Sequence, residues 1–162
     1  MNKTVIAALL MLLGCTSPRL PELQLPPRNV EIRLHASAVL NAGNGKQPYA
    51  LVARIYKLRQ TSAFLRMHFN NFLSQQSERE ILGNDLLEVT EVMLIPGQRY
   101  EISEKITREA HHIGVVALFR APAPNRWRMV APAADAERNG ITIGLHACAI
   151  STGQPLAPVR CD

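Results

Sequence analysis

One cysteine near the start of the chain carries the clearest chemical signal. Lys3 is followed by nine apolar residues, Val5 to Leu13, and the run closes as Leu12-Leu13-Gly14-Cys15. A basic n-region, a short apolar h-region and a small residue directly before a cysteine have the form of a lipoprotein signal. In that reading the Cys15 thiol is acylated, residues 1–14 are removed, and Cys15 becomes the mature N-terminus. A spanning helix needs roughly 20 apolar residues; this run is shorter, and Pro18 and Pro21 follow at once. The alternatives are an uncleaved interfacial anchor and an ordinary secretory signal with an accidental cysteine. Acyl chains contribute ~0.8 kcal/mol per buried CH₂, so one chain holds weakly and two or more hold firmly. Position 16 is Thr rather than Asp. Under the standard bacterial sorting rule this predicts the outer membrane, with the chain facing the periplasm.

The other residues that could do chemistry do not assemble into a reaction. The sequence has no G-x-S-x-G, H-E-x-x-H, Gly-rich phosphate loop or S-x-x-K. His35 and His146 fall on the polar parity of predicted strands. His111 and His112 are adjacent, so an extended backbone points them to opposite faces. Glu88 and Glu91 are close in sequence but of opposite parity, which gives no acid/base pair. The expectation is therefore no enzyme, no cofactor and no metal. With Cys15 acylated, Cys148 and Cys161 remain as an even pair in an oxidising compartment. A bridge between them would close a short loop, worth about 3 kcal/mol on a chain-entropy model, and staple the tail to the last strand. The alternative is two free thiols, one in a strand and one in a loose tail.

The net charge of +5 comes mostly from scattered Arg, and Lys3 leaves with the signal. No run of five basic residues exists, which argues against nucleic acid as a partner. Residues 15–162 suit a single domain with a real core. Pro18, Pro21, Pro26 and Pro27 make residues 15–28 an extended spacer, and the domain is expected over 29–162.

Within it, Val30, Ile32, Leu34 and Ala36 alternate with Glu31, Arg33, His35 and Ser37, the period of a half-buried strand. Asn41 to Pro48 is a Gly/Asn/Pro-rich loop, longer than a tight hairpin needs, and such loops either carry function or merely connect. Residues 50–59 predict a second strand with apolar residues on both parities. Over about residues 61–82 the period changes: Leu65, Phe69, Phe72 and Leu73 recur at helical spacing, with a break near His68, and Ser77 with Glu80 forms an S-x-x-E capping box closed by Gly83. Residues 85–95 predict a strand ended by a Pro96-Gly97 turn. Tyr100, Ile102 and Ile106 alternate with Arg99, Glu101, Ser103 and Lys105. Ile113 to Phe119 predicts a strand buried on both faces, 127–130 a short one, and Ile141, Ile143, Leu145 and Ala147 the last. About seven short strands with a helical insertion predict a mainly β chain, a β-sandwich. Phe64, Phe69, Phe72 and Trp127 are core candidates, with a partner groove or an interface anchor as the other reading.

These residues resemble the TssJ family, the outer-membrane lipoprotein of type VI secretion systems. The likeness begins at the lipobox cysteine and continues through Ala36-Ser37 and Leu40-Asn41 before the Gly/Pro loop. It runs on through Val52-Ala53-Arg54-Ile55-Tyr56-Lys57-Leu58, Ala63-Phe64, Phe69, Leu82-Gly83-Asn84-Asp85-Leu86 and Pro96-Gly97. Its strongest stretch is Ile113-Gly114-Val115-Val116-Ala117-Leu118-Phe119-Arg120, with Trp127-Arg128 after it. The resemblance implies a transthyretin-like β-sandwich with an added helical element and no catalysis. It implies that the acylated Cys15 holds the chain on outer-membrane lipid while the domain binds the periplasmic C-terminal domain of a TssM-type inner-membrane protein. It implies that the loop Asn41, Ala42, Gly43, Asn44, Gly45, Lys46 and Gln47 contacts that partner. The Cys148/Cys161 pair is not something the family pattern requires. The competing reading is a periplasmic ligand-binding or chaperone-like lipoprotein with no secretion role.

Overall fold

The computed structural model describes residues 21, 25–45, 47–153, 159 and 161. Cys15, Lys46 and most of the spacer lie outside the described residues. Eight strands are arranged in two four-stranded sheets. They are β1 (Arg28–Ala36), β2 (Leu51–Leu58), β3 (Leu86–Leu94), β4 (Arg99–Ile106), β5 (His112–Ala117), β6 (Arg128–Pro132), β7 (Ile141–Leu145) and β8 (Ile150–Thr152). One sheet has the order β4-β1-β7-β8 and the other β3-β2-β5-β6. Three short helices are α1 (Ser62–Arg66), α2 (Gln75–Leu82) and α3 (Ala133–Asn139). The described residues are mainly β, a two-sheet sandwich, with eight strands among them where periodicity predicts about seven. The extra one is the three-residue β8, too short to show a period.

Alternation in β1 does what it predicts: Val30, Ile32 and Leu34 are fully buried while Glu31 is exposed. The strand lies between β4, antiparallel, and β7, parallel. Arg28, assigned by its sequence to the end of the spacer, is already the first residue of this strand and is buried.

The centre of the second sheet is different. β2 and β5 are buried on both faces, because one face packs on the first sheet and the other is covered by the helical insertion. Tyr56 of β2 meets Phe64 and Phe72 edge to face at 5.2 and 5.9 Å, and Trp127 meets Phe69 and Phe72 at 5.2 and 5.4 Å. Such pairs add ~0.5–1.5 kcal/mol each beyond simple burial. The seat of this layer is Gly114, which pairs with Tyr56 across the ladder. A Cβ there would stand 2.7 Å from Phe64 Cζ, so only glycine lets the ring lie on the sheet.

The insertion spans 62–85 and is not one amphipathic helix. α1 ends at Met67, a 3₁₀ segment runs Phe69–Leu73, α2 follows, and a second 3₁₀ turn closes at Gly83–Asp85. The break near His68 is therefore real, and it resets the register. Phe64, Met67 and Phe72 are buried while Leu65 and Leu73 of the predicted stripe are about half exposed. The cap of α2 is Ser74, whose Oγ accepts from Ser77 N at 3.3 Å, not Ser77 itself. Helix α3 has no periodic signal in the sequence.

Two buried cations of β2 complete the packing. Arg54, beneath the insertion, donates to Phe72 O and to Glu78 and Glu91 at 2.8–2.9 Å. Burial works against its charge, but Glu91, Glu78 and the Tyr56 side chain outweigh that and raise its pKa. Burial pushes the Glu78 carboxyl up, against the opposing pull of Arg54. On the other face, Lys57 is 2.9 Å from Glu88 and 3.0 Å from Glu104 of β4, and it donates to Lys105 O. Burial opposes this charge too, and the hydrogen bonds to Glu88 and Glu104 hold it. Glu104 thus fills an inward position among the alternating apolar residues of β4, and the ion pair joins the two sheets. Glu88 and Glu91 serve different cations on opposite faces.

Replacing Gly114 by Ala should lower the unfolding free energy by about 1–3 kcal/mol, the range for overpacking a core. Adding Phe64→Leu to Gly114→Ala should restore part of the loss in thermal unfolding; a purely additive double mutant would show that the two sites are not coupled.

Candidate partner-binding end

The chain leaves β1 into a segment from Ser37 to Ala50 that folds back over one end of the sandwich. Asn41 is its anchor. It is buried, with φ of 56°, a left-handed conformation that Asn adopts more readily than most residues. Its Nδ2 donates to Ala50 O at 2.9 Å, its Oδ1 accepts from Arg120 N at 2.8 Å, and its own N–H donates to His146 O at 3.0 Å. One side chain therefore ties the β1–β2 loop to the loop after β5, while its backbone reaches the loop after β7. Gly43, also at positive φ, donates to Ala147 O at 2.8 Å, and Gly45 donates to Ala42 O at 3.0 Å.

Of the loop residues singled out by resemblance, Asn41 is spent on holding the loop. Ala42 and Gly43 are half-buried, and Asn44, Gly45 and Gln47 are exposed. Lys46 and the lipidation candidate Cys15 lie outside the described residues. Gly43 and Asn44 border a cleft of about 200 Å³ with the Ala121–Pro124 segment and Cys161. Cys148 and Cys161 are joined in the structure, with Cα atoms 5.7 Å apart, and Cys148 is buried.

The same end exposes apolar side chains that periodicity does not single out. Val39 and Ile95 are 52% and 60% exposed, and Tyr49 is 39% exposed with the Arg120 guanidinium 4.1 Å above its ring. They belong together through the backbone: Tyr49 N donates to Leu40 O, Gly97 N to Ser37 O, and β3 pairs with β2 up to Leu51 opposite Leu94. Tyr49 and Ile95 each sit just beyond a paired strand; Tyr49 falls between the predicted loop and the second predicted strand, and Ile95 closes the predicted strand 85–95, so periodicity gives neither a role. Large exposed apolar residues gathered at one place mark interaction surfaces more than scattered ones do.

Trp127 is not part of this surface. It is buried against Phe69 and Phe72, with the Arg128 guanidinium 4.6 Å from its ring. Arg128 donates to Phe64 O and Met67 O at 2.6 and 2.7 Å and to Leu65 O, satisfying the last carbonyls of α1. Burial lowers its pKa. The histidines do not gather: His146 Nε2 is 2.8 Å from Ser151 Oγ, and burial with the nearby Arg126 charge lowers its pKa. Among the described residues no group of three or more His, Cys, Asp or Glu could hold a metal ion.

The incoming chain lies at the other end of β1. Arg108, in the turn between β4 and β5, donates to Pro26 O at 2.8 Å and pairs with Glu137 of α3 at 3.4 Å. Arg28 also reaches Glu137, at 3.4 Å. The eight steps between the nine residues of β1, at ~3.3 Å each, separate this entry point from the loop end by roughly 26 Å.

A family described as type VI secretion lipoprotein (VasD, EvfM, TssJ) matches residues 28–148. No curated protein sequence matches the chain. Among solved structures it is similar to the T6SS lipoprotein TssJ1 from Pseudomonas aeruginosa, with 29% identity over 83% of this chain and 100% of that one and a TM-score of 0.68. It is similar in fold to a chain of a type VI membrane complex, with 23% identity, coverage of 82% and 99%, and a TM-score of 0.70. A chain in a structure of the T6SS protein TssM C-terminal domain from EAEC shares the fold at 21% identity, with coverage of 82% and 99% and a TM-score of 0.66.

Asn41→Ala removes two side-chain hydrogen bonds from a buried site and leaves Arg120 N without its acceptor. It should cost about 1–3 kcal/mol in chemical unfolding, and fluorescence of Tyr49 should change with it. An unfolding midpoint equal to that of the parent would show that the loop does not depend on this anchor.

Proposed function

The chain belongs to the type VI secretion lipoprotein family, and from that premise we propose that it anchors a secretion membrane complex to the outer membrane by binding the periplasmic C-terminal domain of a TssM-type inner-membrane protein. Residues 1–14 are the signal, the acylated Cys15 is the lipid anchor in the outer membrane, and the proline-rich spacer leads to the domain.

The observation that carries this reading is the polarity of β1. The spacer arrives at one end, against Arg108, and the loop with the exposed Val39, Tyr49 and Ile95 lies at the other. A protein that ties lipid to a partner needs two such ends. β1 is paired over eight positions with β4 and over five with β7. Tension between the two ends would load these hydrogen bonds, which lie across the strand, in shear rather than one at a time. Contact with the partner through Asn44, Gly45, Gln47, Val39, Tyr49 and Ile95 is in keeping with an aromatic anchor ringed by smaller contacts. Asn41 and Gly43 act by holding that surface in shape.

Cys15→Ser should move the protein from the membrane to the soluble periplasmic fraction and abolish secretion; secretion at the parent level would contradict the tether. Tyr49→Ala should weaken binding to the TssM-type periplasmic domain by about 2 kcal/mol or more, the size of an interface hot spot, measured by calorimetry. Its effect on folding stability should stay within about 0.5 kcal/mol, as for exposed sites. Unchanged affinity would place the contact elsewhere and favour a different periplasmic ligand.

A further inference from the structure

The four residues between β7 and β8, His146 to Ala149, hold the loop end together. Leu145 O accepts from Ser37 N, His146 O from Asn41 N, Ala147 O from Gly43 N and Cys148 O from Ala123 N, all at 2.8–3.0 Å. Both the β1–β2 loop and the segment after β5 are therefore hung on one short turn. Three more hydrogen bonds hold the turn: His146 N donates to Ala149 O, Ile150 N donates to Arg126 O, and His146 Nε2 lies 2.8 Å from Ser151 Oγ. β8 pairs only three residues and lies on the sheet edge. The apolar cluster beneath it consists of Ala123, Cys148 and Ala149, with Val159 and Cys161 packed on it, and it is separate from the main core. Side chains this small remove little apolar surface from water. The one covalent tie among the described residues of this turn runs from Cys148 to Cys161, and Cys161 also borders the cleft beside Gly43 and Asn44.

We infer that the Cys148–Cys161 bridge is a positioning element for the partner-binding loop, so that partner affinity depends on its oxidation. This rests on the proposed partner reading for the binding step only; the effect on the loop stands by itself. A dithiol reductant supplies two electrons and two protons, the S–S bond breaks, two thiols form, and the reductant leaves as its own disulfide. In the periplasm a protein disulfide donor runs the reverse reaction. Reduction releases Cys161 from the turn, and the carbonyls of His146 and Ala147 no longer hold Asn41 and Gly43 in fixed register. The end of the β2–β5 ladder where Lys57 and Leu58 pair with Ile113 and His112 is the one away from the loop, and it keeps its hydrogen bonds. An ordered loop pays less entropy on binding than a loosened one, which is how preorganisation enters affinity. Cys15, once acylated, offers no thiol and is unaffected.

The test uses the full lipidated chain in detergent, oxidised and after dithiothreitol, with Cys161→Ser as a second route that leaves the buried Cys148 in place. Hydrogen exchange should show Asn41 and Gly43 amides exchanging at least about tenfold faster in the reduced and Cys161→Ser forms, with the amides of Tyr56 to Leu58 and His112 to Gly114, at the other end of that ladder, unchanged. Affinity for the TssM-type periplasmic domain should fall about tenfold in the same two forms. Equal protection of Asn41 and Gly43 in all forms would overturn the proposal, as would global loss of protection, which would make the bridge a requirement of the whole fold. Failure of even the oxidised form to bind would refute the partner reading, and the exchange data would still decide the role of the bridge.

Discussion

Two adjacent strands, β2 and β5, are buried on both faces, and the rest of the molecule answers to that constraint. One face is covered by the sheet that carries β1. The other needs a lid, and the insertion between β2 and β3 supplies it. The lid fits because Gly114 has no side chain where Phe64 lies. Burial on both faces also strands polar residues of β2, which must then be paired where they lie. Arg54 finds Glu78, Glu91 and Phe72 O beneath the lid, and Lys57 finds Glu88 and Glu104 between the sheets. Each ion pair fixes a relationship between layers, so the insertion and β4 are set relative to β2 by charge as well as by shape.

Because that body is held on every side, its ends can specialise. The entry end secures the incoming chain with Arg108 on Pro26 O and with the Arg28–Glu137–Arg108 group. The loop end uses a buried Asn41 to hold three connections in one arrangement while leaving Val39, Tyr49 and Ile95 to solvent. In a family of type VI secretion lipoproteins, a domain whose two ends differ in this way suits a tie between lipid and a partner better than it suits a pocket for a small ligand.

The strands were legible where burial is one-sided, as in β1, whose alternation is clean, and Ile113 to Ala117 announces its double burial by an unbroken apolar run. The insertion was legible in position but not in register. Leu65, Phe69, Phe72 and Leu73 keep helical spacing, yet the chain turns at His68, so Phe72 is seated with Phe64 as expected while Leu65 and Leu73 face solvent. The signal for that seat was present as a glycine inside an otherwise apolar strand, a mark of close approach by a neighbour. Glu104, at an inward position of β4, was the unread partner of Lys57. At the loop end, composition pointed to residues 41–47, and the resemblance gave them a role. It could not separate Asn41, which looks inward, from Tyr49 and Ile95, which look out, because that distinction is made by contacts distant in sequence. Helix α3 and the short β8 have no period long enough to read.

The most direct test of a two-ended tether is a photo-crosslinking residue placed in the living cell at position 49 or at position 109. Position 49 lies at the loop end and position 109 in the β4–β5 turn beside the incoming chain. A two-ended tether gives crosslinks to a large inner-membrane protein from position 49 and none to it from position 109. Crosslinks to that protein from position 109 alone, or equally from both, would contradict it.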